Sequence, residues 1–124
     1  MKSIKELYRI GTGPSISHTM GPRKAAEMFV ERHPDASSFK VTLYGSLAAT
    51  GKGHMTDVAI IDTLKTTAPV EIIWQPKVFL PFHPNGMTFA AFDANNKIQE
   101  NWTVYSIGGG ALAENNSNPT IESP

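Results

Sequence analysis

Two of the four histidines in this chain, His18 and His54, sit among hydroxyl residues in glycine-rich segments, and a third, His83, lies in a segment punctuated by proline and glycine. His18 lies between Ser17 and Thr19 in residues 11–22. His54 follows Gly51-Lys52-Gly53 and precedes Thr56 and Asp57. His83 lies in Pro81-Phe82-His83-Pro84-Asn85-Gly86-Met87. Imidazole titrates near working pH, so it can take or give a proton. Hydroxyls and free backbone N–H groups near helix starts hold anions. Together they suit a small anionic substrate whose proton is moved.

Each residue also has a plainer reading. His54 is either a helix-start histidine donating to a nearby carboxylate or a general base, kept neutral by the adjacent helix N-terminus. His18 is either part of a Ser/Thr-rich helix start or part of a carboxylate cradle with Ser15, Ser17 and Thr19. Asn85-Gly86 is a turn signal, and His83 and Asn85 either shape that turn or face a site. His33, before Pro34, reads as a surface cation at a helix end. A phosphate-binding loop is a poor match for residues 45–53. Five residues separate Gly45 from Gly51 where four are needed, and Gly53 stands where a magnesium-binding hydroxyl belongs. No nucleophile elbow is present. No His, Asp or Glu set has a recognised metal spacing, so no metal ligand is assigned.

The elements that must carry these residues follow from pattern. Ser3-Ile4-Lys5-Glu6 reads as a capping box for a short helix ended by Gly11, Gly13 and Pro14. The first histidine segment then reads as a loop. A helix starts at Pro22, presents Ala25, Ala26, Met28, Phe29 and Val30, and stops at Pro34. Phe39, Val41 and Leu43 alternate as a strand with one buried face. Its end opens into a second glycine-rich loop, residues 45–53. A helix capped by Thr56 or Asp57 turns Val58, Ile60, Ile61 and Leu64 inward. Residues 70–74 read as a strand, and Pro76 and Pro81 bracket a loop. Residues 88–92 and 98–107 form a hairpin through Asp93-Ala94-Asn95-Asn96-Lys97. Gly108-Gly109-Gly110 ends the last strand, and the polar residues after it read as a tail. Trp74 and Trp102 belong to core or interface. The expected fold class is α+β, a mixed sheet with helices packed on one face.

Composition narrows the function classes. The 124 residues fit one domain, 40% hydrophobic and 18% charged, with net charge +0. Nothing favours a nucleic-acid or membrane surface. The amino terminus is not a signal peptide, which points to the cytoplasm. Cysteine is absent, so this chain alone forms no disulfide, zinc–thiolate or iron–sulfur site.

Four segments together resemble a known family. Gly13-Pro14-Ser15-Ile16-Ser17-His18-Thr19-Met20-Gly21-Pro22 is similar to the G-P-S-S-S-H-T-x-G-P signature of the iron–sulfur-dependent L-serine dehydratases. Tyr44-Gly45-Ser46-Leu47, with Thr50-Gly51-Lys52-Gly53-His54-Met55-Thr56-Asp57, resembles the second signature. Pro84-Asn85-Gly86-Met87 with Phe92-Asp93 resembles the third, and Tyr105-Ser106-Ile107-Gly108-Gly109-Gly110 the fourth. The resemblance spans residues 1–112, the family's β domain, and leaves residues 113–124 as a tail or linker toward an α domain.

The resemblance implies a lyase that removes water from L-serine, giving pyruvate and ammonia. A 4Fe-4S cluster acts on the departing hydroxyl, held by cysteines of an α domain or subunit. It implies His54 and His18 as catalytic residues. Ser15, Ser17, Thr19, Thr56, Asp57, His83 and Asn85 would contact or orient substrate, with Tyr105 and Ser106 close by. The partners implied are L-serine and the α portion, with a homo-oligomer left open. Ile16 departs from the pattern, since the family has serine there. The stretch 66–80 is shorter than in many relatives. The family's β domain also resembles the allosteric substrate-binding domain of phosphoglycerate dehydrogenase. That admits the rival reading of a non-catalytic regulatory domain for a small carboxylate such as L-serine.

Overall fold

Residues 38–44 alternate strictly, and the structure turns that alternation into the inner face of a sheet. The computed structural model describes residues 13–51, 55–108 and 110–114, with the side chains of residues 19–49 and of those from 55 on. The chain runs α1 (Gly13–Arg32), β1 (Ser38–Tyr44), α2 (Gly45–Gly51), α3 (Thr56–Leu64), β2 (Val70–Gln75), β3 (Gly86–Phe92), β4 (Ile98–Gly108) and β5 (Ala111–Ala113). The capping box and helix expected near residues 3–8 lie outside the described residues.

The sheet order is β2-β1-β3-β4-β5. β1 and β2 are parallel, joined by the crossover through α2 and α3, and the other pairs are antiparallel. The expected mixed α+β sheet is therefore present. One face carries Phe39, Val41, Leu43, Met87, Phe89, Ala91, Trp102 and Val104. Ala25, Ala26 and Phe29 of α1, Leu47 and Ala48 of α2, and Ile60 and Leu64 of α3 join the same cluster. The three helices of the described residues thus cover one face. The other face is polar, with Thr42, Thr88 and Thr103 in register across three strands and a 3.0 Å hydrogen bond between the Thr88 and Thr103 hydroxyls. Threonine suits such a face, being β-branched and able to pair across strands. Phe29 is fully buried against Phe39, Phe89 and a parallel-stacked Trp102.

Several sequence expectations change. The first histidine segment is not a loop: α1 begins at Gly13, and Pro22 lies inside it. Proline in a helix forfeits one hydrogen bond, and a Cβ on the preceding residue would crowd its ring. Gly21 has no Cβ, so that second obstacle is absent. The second glycine segment is also helical over residues 45–51, because Leu47 and Ala48 bury against the sheet. Neither Thr56 nor Asp57 caps α3. Met55 does so in a left-handed conformation (φ 62°), with no side-chain cap bond. Val58 and Met28, expected inward, are exposed, whereas Ala59 is buried. The hairpin and its turn through residues 93–97 form as expected. A short β5 follows the glycines and was not expected. The described fold continues through Glu114, whose carboxylate meets Trp102 Nε1.

Candidate functional site

At the end of the sheet formed by the C-termini of β1 and β4 and the start of β3, four chain segments meet. Gly45 leaves β1 with φ +52°, a conformation that glycine adopts without strain. This turns the strand directly into α2. A Cβ there would lie 2.7 Å from Pro84 O and 2.9 Å from the Phe79 ring, so the 76–85 loop closes onto Gly45. The Ser46 N–H donates to Pro84 O at 3.0 Å.

The next residues bind the loop to β4. The Asn85 side-chain amide donates to Ser106 O at 3.2 Å, and the Ser106 N–H donates back to Asn85 O at 3.0 Å. Gly86 pairs with Tyr105 across the β3–β4 ladder. The Asn85 N–H donates to His83 Nδ1 at 3.0 Å. That nitrogen is thereby an acceptor, so the neutral His83 ring carries its proton on Nε2. Its Nε2–H is then the ring's donor.

Ser106 is fully buried and also receives α1. A Cβ on Gly21 would lie 2.1 Å from Ser106 Oγ, so only glycine lets the helix approach this closely. Met20 packs near Gly110 in the same way, with its Cε 3.3 Å from where a Cβ would stand. The backbone of Ser15, Ser17 and His18 is helical within the two turns preceding Gly21. Thr19 is half-buried. Tyr105 is 4% exposed, with Phe82 tilted against its ring at 4.9 Å. Burial, aided by the neighbouring Tyr44, raises the Tyr105 phenol above its ordinary value. At neutral pH it is a hydrogen-bond donor and not a base.

The structure therefore joins Gly21, Gly45, the His83–Gly86 segment and Tyr105–Ser106. Thr56 is fully buried at the start of α3, and Asp57 is half-buried beside it. His54 lies outside the described residues. His33 is not on the surface but half-buried. Its Nε2 lies 2.5 Å from Glu100, and its ring packs on Phe29. A cavity of about 440 Å³ opens at the opposite end of β1, lined by Ser38, Lys40, Glu71 and Asn96 among others. None of the proposed site residues lines it. Among the described residues, no group of three or more His, Cys, Asp or Glu could hold a metal ion. No helix among them is long and apolar enough to cross a membrane.

The family described as serine dehydratase beta chain matches residues 3–73 and 62–117. This chain belongs to that family. The beta-chain match comes in two pieces overlapping at residues 62–73, around the turn from α3 into β2. The L-serine dehydratase of Haemophilus influenzae is 32% identical over 92% of this chain and 34% of its own length. That alignment runs 154 positions, so the relative carries about forty residues that this beta chain lacks. The L-serine dehydratase of Mycobacterium tuberculosis is 34% identical over 89% of this chain and 32% of its own length. L-serine dehydratase TdcG of Escherichia coli is 34% identical over 92% and 34%. The chain spans about a third of the length of these curated relatives.

Proposed function

We propose that this chain is the β portion of an L-serine dehydratase, supplying substrate-binding loops and a base to a site completed by an α portion. One observation carries the reading. Parts of all four motif segments, far apart in sequence, meet at one end of the sheet through Gly21–Ser106, Gly45–Pro84 and Asn85–Ser106.

In the reaction, loss of the Cα proton and the β-hydroxyl turns L-serine into an aminoacrylate. Tautomerisation and hydrolysis of the imine release pyruvate and ammonia. His54 is the proposed base for the Cα proton. Ser15, Ser17, His18 and Thr19 hold the carboxylate or line the pocket. Thr56 and Asp57 orient His54, and His83 Nε2–H and Asn85 contact substrate. A 4Fe-4S cluster does not fit this chain, which has no cysteine. We assign its ligands to the α portion, and residues of this chain take no part in holding it. The setting is the cytoplasm.

The test is anaerobic pyruvate formation from L-serine by the chain alone and with a reconstituted α partner. Activity confined to the mixture supports the split site. Tight L-serine binding by the chain alone, with no turnover in either sample, would favour a regulatory domain instead. Within the assembled enzyme, His54→Ala is expected to lower kcat by at least about 100-fold with a small change in KM, because the base acts in the transition state. Near-normal turnover would remove His54 from the mechanism.

A further inference from the structure

The 76–85 loop does two things at once. Its inner side holds the site: Pro84 and Phe79 close on Gly45, Leu80 lies 3.0 Å from where a Gly86 Cβ would stand, and Phe82 packs on Tyr105. Its outer side leaves apolar surface in water. Phe79 is 60% exposed, Phe82 45% and Val78 41%. Ile107, two residues beyond Tyr105 on β4, is also exposed at this end of the sheet. Scattered exposed hydrophobics are ordinary, but two aromatics and a valine within five residues, beside an active-site candidate, are not. Partly exposed aromatics of this kind become the anchors of protein interfaces once covered.

We infer that the outer side of the 76–85 loop, centred on Val78, Phe79 and Phe82, is the docking surface for the α portion of the dehydratase. The inference rests on the reading in the preceding subsection and adds the place of contact. Two observations select this occupant. The relatives are about three times as long as the stretch they share with this chain, so most of the enzyme they represent is not in it. The exposed surface is also continuous with the loop bearing His83 and Asn85, so a partner completing that site must approach this loop. Covering it fixes the inner contacts on Gly45 and Tyr105, and so couples assembly to the ordering of the site.

The probe is a serine dehydratase alpha chain, purified anaerobically and titrated against this chain in a direct binding assay. The double variant Val78→Glu/Phe79→Ser is expected to weaken association at least about 10-fold. Ile98→Glu is the matched control. Ile98 is 54% exposed but lies at the opposite end of β4, so its substitution should leave association unchanged. Circular dichroism and thermal unfolding establish that each variant folds. Should the double variant fail to fold, hydrogen exchange on the wild-type chain replaces it, with amides of residues 77–82 expected to gain protection on mixing. Binding unaltered by the double variant, or no added protection in the loop, overturns the docking assignment while leaving the proposed function standing. No binding by the wild-type chain overturns the split-site reading itself. Self-association of the wild-type chain alone, abolished by the double variant, would give the surface to a second copy and overturn the proposal.

Discussion

Ser106 shows how much one small side chain organises here. It is fully buried where Gly21 brings α1 against β4, while its backbone N–H donates to Asn85 O and its backbone O accepts from the Asn85 side-chain amide. Alanine ordinarily favours a helix over glycine by about 1 kcal/mol. At Gly21 the added methyl would meet Ser106 Oγ at 2.1 Å, and overpacking of that kind costs about 1–3 kcal/mol. The collision outweighs the propensity. Gly21→Ala is therefore expected to destabilise the chain by about 1–2 kcal/mol in urea unfolding. Ser106→Gly should cost stability alone yet partly rescue Gly21→Ala, giving a favourable coupling in the double-mutant cycle. Strict additivity would show that the two residues do not compete for the same space. Burial beside Tyr44 raises the Tyr105 phenol further above neutrality, so it stays protonated there.

The connection from β1 into α2 has the least freedom among the elements. Gly45 needs a positive φ and tolerates no Cβ, because the obstacle is a backbone oxygen as well as a ring. Gly45→Ala is expected to cost about 2–4 kcal/mol, combining left-handed strain with the clash against Pro84 O. Thermal unfolding checks the loss. A fall in affinity for the α partner beyond the loss of stability would show that the 76–85 loop has shifted too. The regular elements were legible in the sequence because their signals are local. Phe39, Val41 and Leu43 alternate, β2 is β-rich, and Asp93 accepts the Asn95 and Lys97 N–H groups that close the hairpin turn. The motif helices were not legible. Ser, Thr and Gly in residues 13–21 and 45–51 favour turns on propensity alone, and packing against β4 and the sheet decides otherwise.

Over the whole molecule, α1 is held near its middle and at its C-terminal end. Gly21 meets Ser106 near the site, and at the far end Arg32 donates to both oxygens of Glu100, at 3.1 and 3.0 Å. The Arg32 guanidinium also lies over Trp102, 4.5 Å from the ring centroid. Burial by itself would raise the Glu100 carboxyl, but hydrogen bonds and charge from Arg32 and His33 outweigh it and hold it below the ordinary value of 4.5. A depressed carboxyl contributes stability above its unfolded pKa and loses it as pH falls through the folded value. Glu100→Gln is thus expected to lower the Tm at neutral pH and to match the wild type progressively in acid. The neutral-pH effect should be no more than about 1 kcal/mol, because the pair is partly exposed and screened. Equal differences at about pH 7 and pH 3 would show that the carboxylate charge is not responsible.

The sequence by itself determined four of the five strands, the hairpin, the α+β class and the family. Periodicity and turn chemistry act over a few residues, and motif identity needs no coordinates. Tertiary structure alone decided that both glycine-rich histidine segments enter helices and that Ser106 joins α1 to the Asn85 turn. It also decided that His33 serves an ion cluster and that Phe79 and Phe82 stay partly exposed beside the site. Each of these depends on what lies across the sheet from a residue, and close packing fixes that only when the whole chain is folded.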